Sequence, residues 1–196
     1  MKLIEEGFFK RNRKVILIGV LIMLISAIAG AGLGYINAGE DRNLISNALK
    51  SDPTIVGEED EGMSSLYLFT HNLTADLIVM IGGLLFSIIS VIIVIFNGIS
   101  IGGLFGADFT FACTSILPHG IIEYFAGSLA LAVAFKITKL EIDVIKNRNI
   151  RDTLKDRRVD IKDIAVIIIV TVILLAVAAV IEGHITGMVI TWYFGL

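Results

Sequence analysis

The chain is poor in charge, proline, cysteine and tryptophan. Asp, Glu, Lys and Arg together make up 18% of its 196 residues, against about a quarter in an ordinary soluble domain. The shortage of charge excludes a solvated surface of the usual kind. With two prolines, Pro53 and Pro118, few backbone positions lack an amide hydrogen, so long helices run unbroken. The single cysteine, Cys113, excludes an internal disulfide. No glycine-rich phosphate loop, zinc-ribbon spacing or serine nucleophile arrangement occurs. The basic residues form no stripe of the kind that grips nucleic acid, so no nucleic-acid partner is expected.

What the chain has is apolar length. Hydrophobic residues make up 56% of it, and the mean hydropathy is +0.86. About 20 apolar residues in helical form cross the roughly 30 Å hydrocarbon core of a bilayer. Runs of this kind lie at 15–35, 73–96, 99–117, 119–137 and 164–184. The expectation is an all-α, polytopic transmembrane helix bundle of about five spans, forming one transmembrane domain over 1–196. The run at 15–35 lacks a small-residue cleavage site and reads as a retained anchor.

The flanking segments orient the bundle. Segment 1–14 carries Lys2, Lys10, Arg11, Arg13 and Lys14 among apolar residues and reads as a cytoplasmic amphipathic segment. Segment 138–163 is also basic, whereas 36–70 is an acidic loop with Glu40, Asp41, Asp52, Glu58, Glu59, Asp60 and Glu61. Basic flanks favour the cytoplasm. An even number of crossings must then separate the two basic segments, so 99–117 is a true crossing. The N-terminus is expected inside and the C-terminus outside. A tight turn falls at Asn97-Gly98, and a short external connection falls near Pro118. The fourth span is expected to continue as a helix towards a turn at 147–149.

Glycines recur at close spacing. Gly98, Gly102 and Gly106, with Gly103 beside them, form a helix-packing surface of the type that holds helices together in lipid. Gly30 and Gly34 repeat the spacing on the first span, and Gly82 and Gly83 interrupt the second. The surface serves packing within one subunit, a dimer face or a pore lining.

Polar residues inside apolar runs are costly and therefore mark function or pairing. They are His71, Asn72 and Asp76 in the second span, Asn97 at its end, and Asp108 in the third. His119 and Glu123 open the fourth, and Glu182 and His184 close the fifth. The topology brings all three histidines to the outer ends of their spans. His119 and Glu123, four apart, share one helix face. Three readings compete for this cluster of His71, Asn72, Asn97, His119, Glu123, Glu182 and His184. The first is a hydrogen-bonding clamp between spans. The second is a proton or ion site. The third is a metal site using His71, His119, Glu123, Glu182 and His184, although the spacing is no recognised metal motif. Asn72-Leu-Thr74 is also a glycosylation sequon, and Trp192 with Tyr193 reads as an interfacial anchor.

The order and spacing of four stretches resemble the stage II sporulation protein M family. These are His71-Asn72-Leu73, Phe96-Asn97-Gly98, Leu117-Pro118-His119-Gly120-Ile121-Ile122-Glu123 and Ile181-Glu182-Gly183-His184-Ile185-Thr186. The resemblance implies a small multispan membrane protein. Its sporulation member is a scaffold for partners that degrade peptidoglycan, with no catalytic activity assigned to it. Carried onto this chain, the family's polar positions are His71, Asn72, Asn97, His119, Glu123 and Glu182, with His184 adjoining them.

The resulting expectation is a non-enzymatic membrane scaffold or assembly factor, multi-pass in the cell membrane and without a cofactor. Its partners would be the lipid bilayer, a second copy in a homodimer, and other membrane or envelope proteins. The alternative is a small ion- or proton-linked channel or transporter using the outer His/Glu cluster. A third class is a metal-dependent membrane hydrolase.

Overall fold

The computed structural model describes residues 4–39, 43–51 and 65–195. All seven acidic residues of the 36–70 segment, together with Arg42 and Lys2, lie outside the described residues. Among the described residues the chain is helical throughout, without strands. Five helical stretches are long and apolar enough to cross a membrane: Phe8–Ala38, Ser65–Leu85, Ile88–Ala107, Leu117–Asn147 and Arg158–Phe194.

The first span is α1 (Phe8–Ala38), followed by the short α2 (Leu44–Ser51). The second is α3 (Ser65–Ile81), extended by a 3-10 turn over Gly82–Leu85. The third is α4 (Ile88–Ala107), followed by the short α5 (Phe109–Ser115). The fourth is α6 (Leu117–Asn147), and α7 (Ile150–Asp156) follows it. The fifth is α8 (Arg158–Ile181), which passes through a π turn at Glu182–Thr186 into α9 (Gly187–Phe194). The fourth span does run on as a helix to Asn147 and reverses at Arg148 in left-handed geometry, with Asn149 capping α7.

The second and third spans lie about ten residues earlier than the apolar runs led us to expect. The turn between them is not at Asn97-Gly98 but at Phe86 and Ser87, both left-handed, with φ of 53° and 58°. Asn97 and Gly98 lie inside α4. The reason is local packing. Gly83 lets the backbone reach α6 so closely that an added Cβ would stand 2.6 Å from the Ala134 carbonyl oxygen. Thr138 Oγ1 then donates to the Gly83 carbonyl at 2.7 Å and meets Ser87 Oγ at 2.7 Å. Asp108 is consequently not a mid-span acid. It joins α4 to α5, accepting from the Phe111 backbone N–H at 2.9 Å. It also accepts from the Ser46 backbone N–H at 2.8 Å and the Ser46 hydroxyl at 2.6 Å.

The glycine surface is used within the chain. A methyl group at Gly102 would overlap the Ala27 backbone oxygen, and one at Gly106 would overlap that of Ala31. One at Gly98 would press on Ser26 Cβ at 2.5 Å, and Gly34 lies directly on the backbone of Gly103. Close approach through small residues is what fastens helices in lipid, where apolar burial adds little. The pairing of α1 with α4 therefore takes up this surface, so it is neither a free dimer face nor a pore lining.

The fourth span is the axis of the bundle. Ala126, Leu129, Ala130, Leu131, Ala132, Val133 and Ala134 are buried in its middle, beside Val79, Met80, Val94, Val166 and Ile167 from neighbouring spans. Five alternating crossings leave two polar ends. The histidine end holds the starts of α3 and α6 and the π turn. The basic end holds the starts of α1 and α8 and the last turns of α6.

Candidate functional site

At the histidine end, Pro118 occupies the first turn of α6, where its missing N–H removes no helical hydrogen bond. His119 follows it, and Glu123 lies one turn deeper on the same face. Across from them, α3 presents Asn72 and Asp76 with the same spacing, and the π turn presents Glu182 and Thr186. A π turn widens the helix by one residue, and such bulges recur at functional sites.

Three spans meet through these side chains. Asn72 Nδ2 donates a short hydrogen bond to Glu123 Oε1, joining the second and fourth spans. His119 Nδ1 lies 3.1 Å from Thr186 Oγ1, and His119 Nε2 lies 3.7 Å from Glu182 Oε1, joining the fourth and fifth. One donor atom from each of His119, Glu123 and Glu182 lies within 4.8 Å of the other two. A cavity of about 220 Å³ opens beside Glu123, bordered by His71, Asn72, Asp76, Asn97 and Tyr124. Asp76 is only 8% exposed. Its Oδ2 has no hydrogen-bond partner among the described residues.

The residues singled out from the sequence fall into three groups. Asn72 bonds Glu123, and Glu123 clusters with His119 and Glu182. His71 and Asn97 border the adjoining cavity, and His71 also stacks on Tyr67 with ring centroids 6.1 Å apart. His184 stands aside on the exposed face of the π turn, with Nδ1 3.1 Å from the Val180 carbonyl oxygen and 3.3 Å from Ser65 Oγ. Two contributors escape a reading of the sequence by polar outliers alone. Thr186 looks like an ordinary span-end threonine, although its four-residue spacing from Glu182 is a usable signal. Tyr124 reaches the Gly98 carbonyl at 3.4 Å from the cavity wall.

A second network, barely legible in the sequence, occupies the basic end. Asn12 and Asp163 are 0% and 1% exposed, and Lys136 is buried beside them. Arg11 grips Asp163 with two parallel hydrogen bonds of 2.9 and 2.8 Å. Asn12 Nδ2 donates to Asp163 Oδ2 at 2.9 Å, and Lys136 Nζ donates to Asn12 Oδ1 at 2.7 Å and Asp160 Oδ1 at 3.1 Å. Bidentate Arg–carboxylate geometry is among the stronger polar contacts a protein makes. This network joins the first, fourth and fifth spans. The signal for it was Lys136, a lone cation in an apolar run.

Comparison with known proteins bears on what these two networks serve. The sequence model of the family described as stage II sporulation protein M matches residues 15–187. The chain is similar to the uncharacterized protein MJ0793 of Methanocaldococcus jannaschii, with 28% identity over 131 residues, or 64% of this chain and 72% of the relative. No solved structure matches.

Proposed function

We propose that this chain, which belongs to the stage II sporulation protein M family, is a non-enzymatic membrane scaffold that holds partner proteins in the cell membrane. One observation carries this reading. Two polar networks each bind three spans together, and buried, mainly apolar side chains lie between them. These include Val79, Val94, Ala130, Leu131, Val133 and Ile167, all 4% exposed or less. Polar groups that tie spans together at both ends, with a mainly apolar middle, suit a rigid platform better than a conduit.

In this reading the basic end faces the cytoplasm, because Arg and Lys flanks are retained on that side. The N-terminus then lies inside and the C-terminus outside. The partners are a second copy of the chain and other envelope proteins. The glycine surface is unavailable to them, because α1 already covers it.

Reconstitution of the purified protein into liposomes tests the proposal. A scaffold gives no flux of protons, Na⁺, K⁺ or Mg²⁺ above empty vesicles. Flux that disappears in Glu123→Gln overturns it in favour of transport. That second reading rests on one specific observation, the partnerless oxygen of Asp76 in a cavity shared with Glu123.

A further inference from the structure

We infer that His119, Glu123 and Glu182 form a binding site for a divalent transition-metal ion of the zinc, cobalt or manganese class. The site goes beyond the scaffold reading and does not depend on it.

Geometry is the first support. The three donor atoms, one nitrogen and two carboxylate oxygens, lie within 4.8 Å of one another. Metal–ligand bonds of about 2.0–2.2 Å in tetrahedral geometry place ligand atoms about 3.3–3.6 Å apart. His119 Nε2 and Glu182 Oε1 already stand at 3.7 Å, and side-chain shifts of about an ångström close the rest of the site. Two carboxylates with one imidazole is a donor set for borderline metals, with water completing the shell.

The second support is that the ligands are already oriented. Thr186 Oγ1 lies 3.5 Å from the Ile181 carbonyl oxygen, which accepts its proton. The hydroxyl oxygen then accepts from His119 Nδ1–H at 3.1 Å. This assignment leaves the Nε2 lone pair pointing towards Glu182 Oε1 at 3.7 Å. Two lone-pair-bearing atoms facing each other at that distance make no hydrogen bond, and a cation between them would pair both. Asn72 occupies Glu123 Oε1 and leaves Oε2 for an ion. Hydrogen bonds that fix the tautomer of a ligand histidine and the aim of a ligand carboxylate are the usual outer shell of a metal site.

Charge is the third. Glu123, Glu182 and Asp76 bring three carboxylates to one end of the bundle. Among the described residues, the Lys and Arg ion pairs all lie at the opposite end. A counter-charge stabilises carboxylates taken out of water. Asp76, 8% exposed and with Oδ2 unpartnered among the described residues, borders the same cavity as Glu123. The His119 and Glu182 side chains are 10% and 26% exposed, so the site opens towards the membrane surface at this end.

The test uses the full-length chain with a tag free of histidine, purified in detergent and stripped with chelator. Titration with Co²⁺ should give visible d–d absorption saturating at one ion per chain, and Zn²⁺ should displace it and raise Tm. Affinity should fall at least tenfold in Glu182→Gln and His119→Ala, and about 10–100-fold in Thr186→Val. His184→Ala should leave it unchanged. Helicity and elution volume identify any variant that fails to fold, and Glu182→Gln is the variant least prone to this because its side chain is partly exposed. Three results overturn the proposal: no saturable Co²⁺ signal, a signal undiminished in folded Glu182→Gln, or stabilisation by Mg²⁺ and not by Zn²⁺ or Co²⁺.

Discussion

Asp163 accepts hydrogen bonds from both Arg11 and Asn12, while Lys136 approaches it to 3.7 Å. One carboxylate thus collects three donor groups from two other spans, at a position 1% exposed. Removing it leaves the Arg11 guanidinium and an Asn12 amide hydrogen short of an acceptor and takes one of two nearby carboxylates from the buried Lys136. Asp163→Ala is expected to lower stability by about 3–5 kcal/mol, the loss typical of a broken buried pair. Arg11→Ala should do less damage, because Lys136 and Asn12 remain to satisfy the acid. Thermal unfolding in detergent, followed by circular dichroism, ranks the two.

The glycine contacts predict opposite outcomes for two glycines of similar sequence context. Gly102→Val puts its side chain into the Ala27 backbone and must part α1 from α4. A marked fall in Tm is expected. Gly32 has nothing within 4 Å of an added Cβ. Gly32→Ala should therefore leave Tm unchanged or raise stability by up to about 1 kcal/mol, through helix propensity. Equal effects from the two substitutions would contradict the α1–α4 pairing.

Asp108 gives a pH dependence with a definite sign. Burial pushes its pKa up, but the hydrogen bonds from Ser46 and Phe111 outweigh it and hold the carboxyl below the usual range. The folded-state value is thus below the unfolded one. The stabilisation is present above the ordinary aspartate value of about 3.9 and is lost as pH falls through it towards the folded value. Asp108→Asn should flatten the dependence of Tm on pH between about 5 and 3. Asp108→Ala should remove about 1 kcal/mol at neutral pH by loss of the cap. A Tm profile between about pH 5 and 3 that is the same in wild type and in Asp108→Asn would refute the assignment.

Topology is open to direct labelling. Arg151 lies exposed in α7 at the basic end. With Cys113 replaced by alanine, Arg151→Cys should resist an impermeant maleimide in intact cells and react after lysis. A cysteine at Ser65, at the histidine end, should react in intact cells. Reversed labelling would place the histidine cluster in the cytoplasm.

Much of this architecture is written in the sequence. Helix class and five crossings follow from apolar runs of span length, and the counting argument brings His71, His119 and His184 to one end. The fourth span's extension and the turn at 147–149 are likewise legible, because charged residues there keep helical periodicity. The turn at Phe86-Ser87 is not. Phe86 is no turn former and Ser87 only a weak one, and the left-handed pair sits just after Gly83, which packs on α6. Asn97-Gly98 has the better turn chemistry, yet Gly98 lies against Ser26 on α1. The basic-end network is hidden for a different reason. Asn12 and Asp163 sit in charged flanks and read as solvated, and their pairing depends on contacts between segments over 120 residues apart.

That separation has a bearing on how the protein is made. A ribosome feeds the bilayer from the N-terminus, so Asn12 enters long before Lys136, 124 residues later, and Asp163, 151 residues later. Asn72 likewise arrives ahead of its acceptor Glu123, 51 residues later. The pair α1–α4 needs nothing downstream and can dock as soon as Ala107 emerges. The polar locks at either end close only when α6 and α8 follow. Nascent chains halted before α6 should therefore hold the glycine-packed pair while Asn12 and Asn72 wait at the membrane surface for partners not yet synthesised.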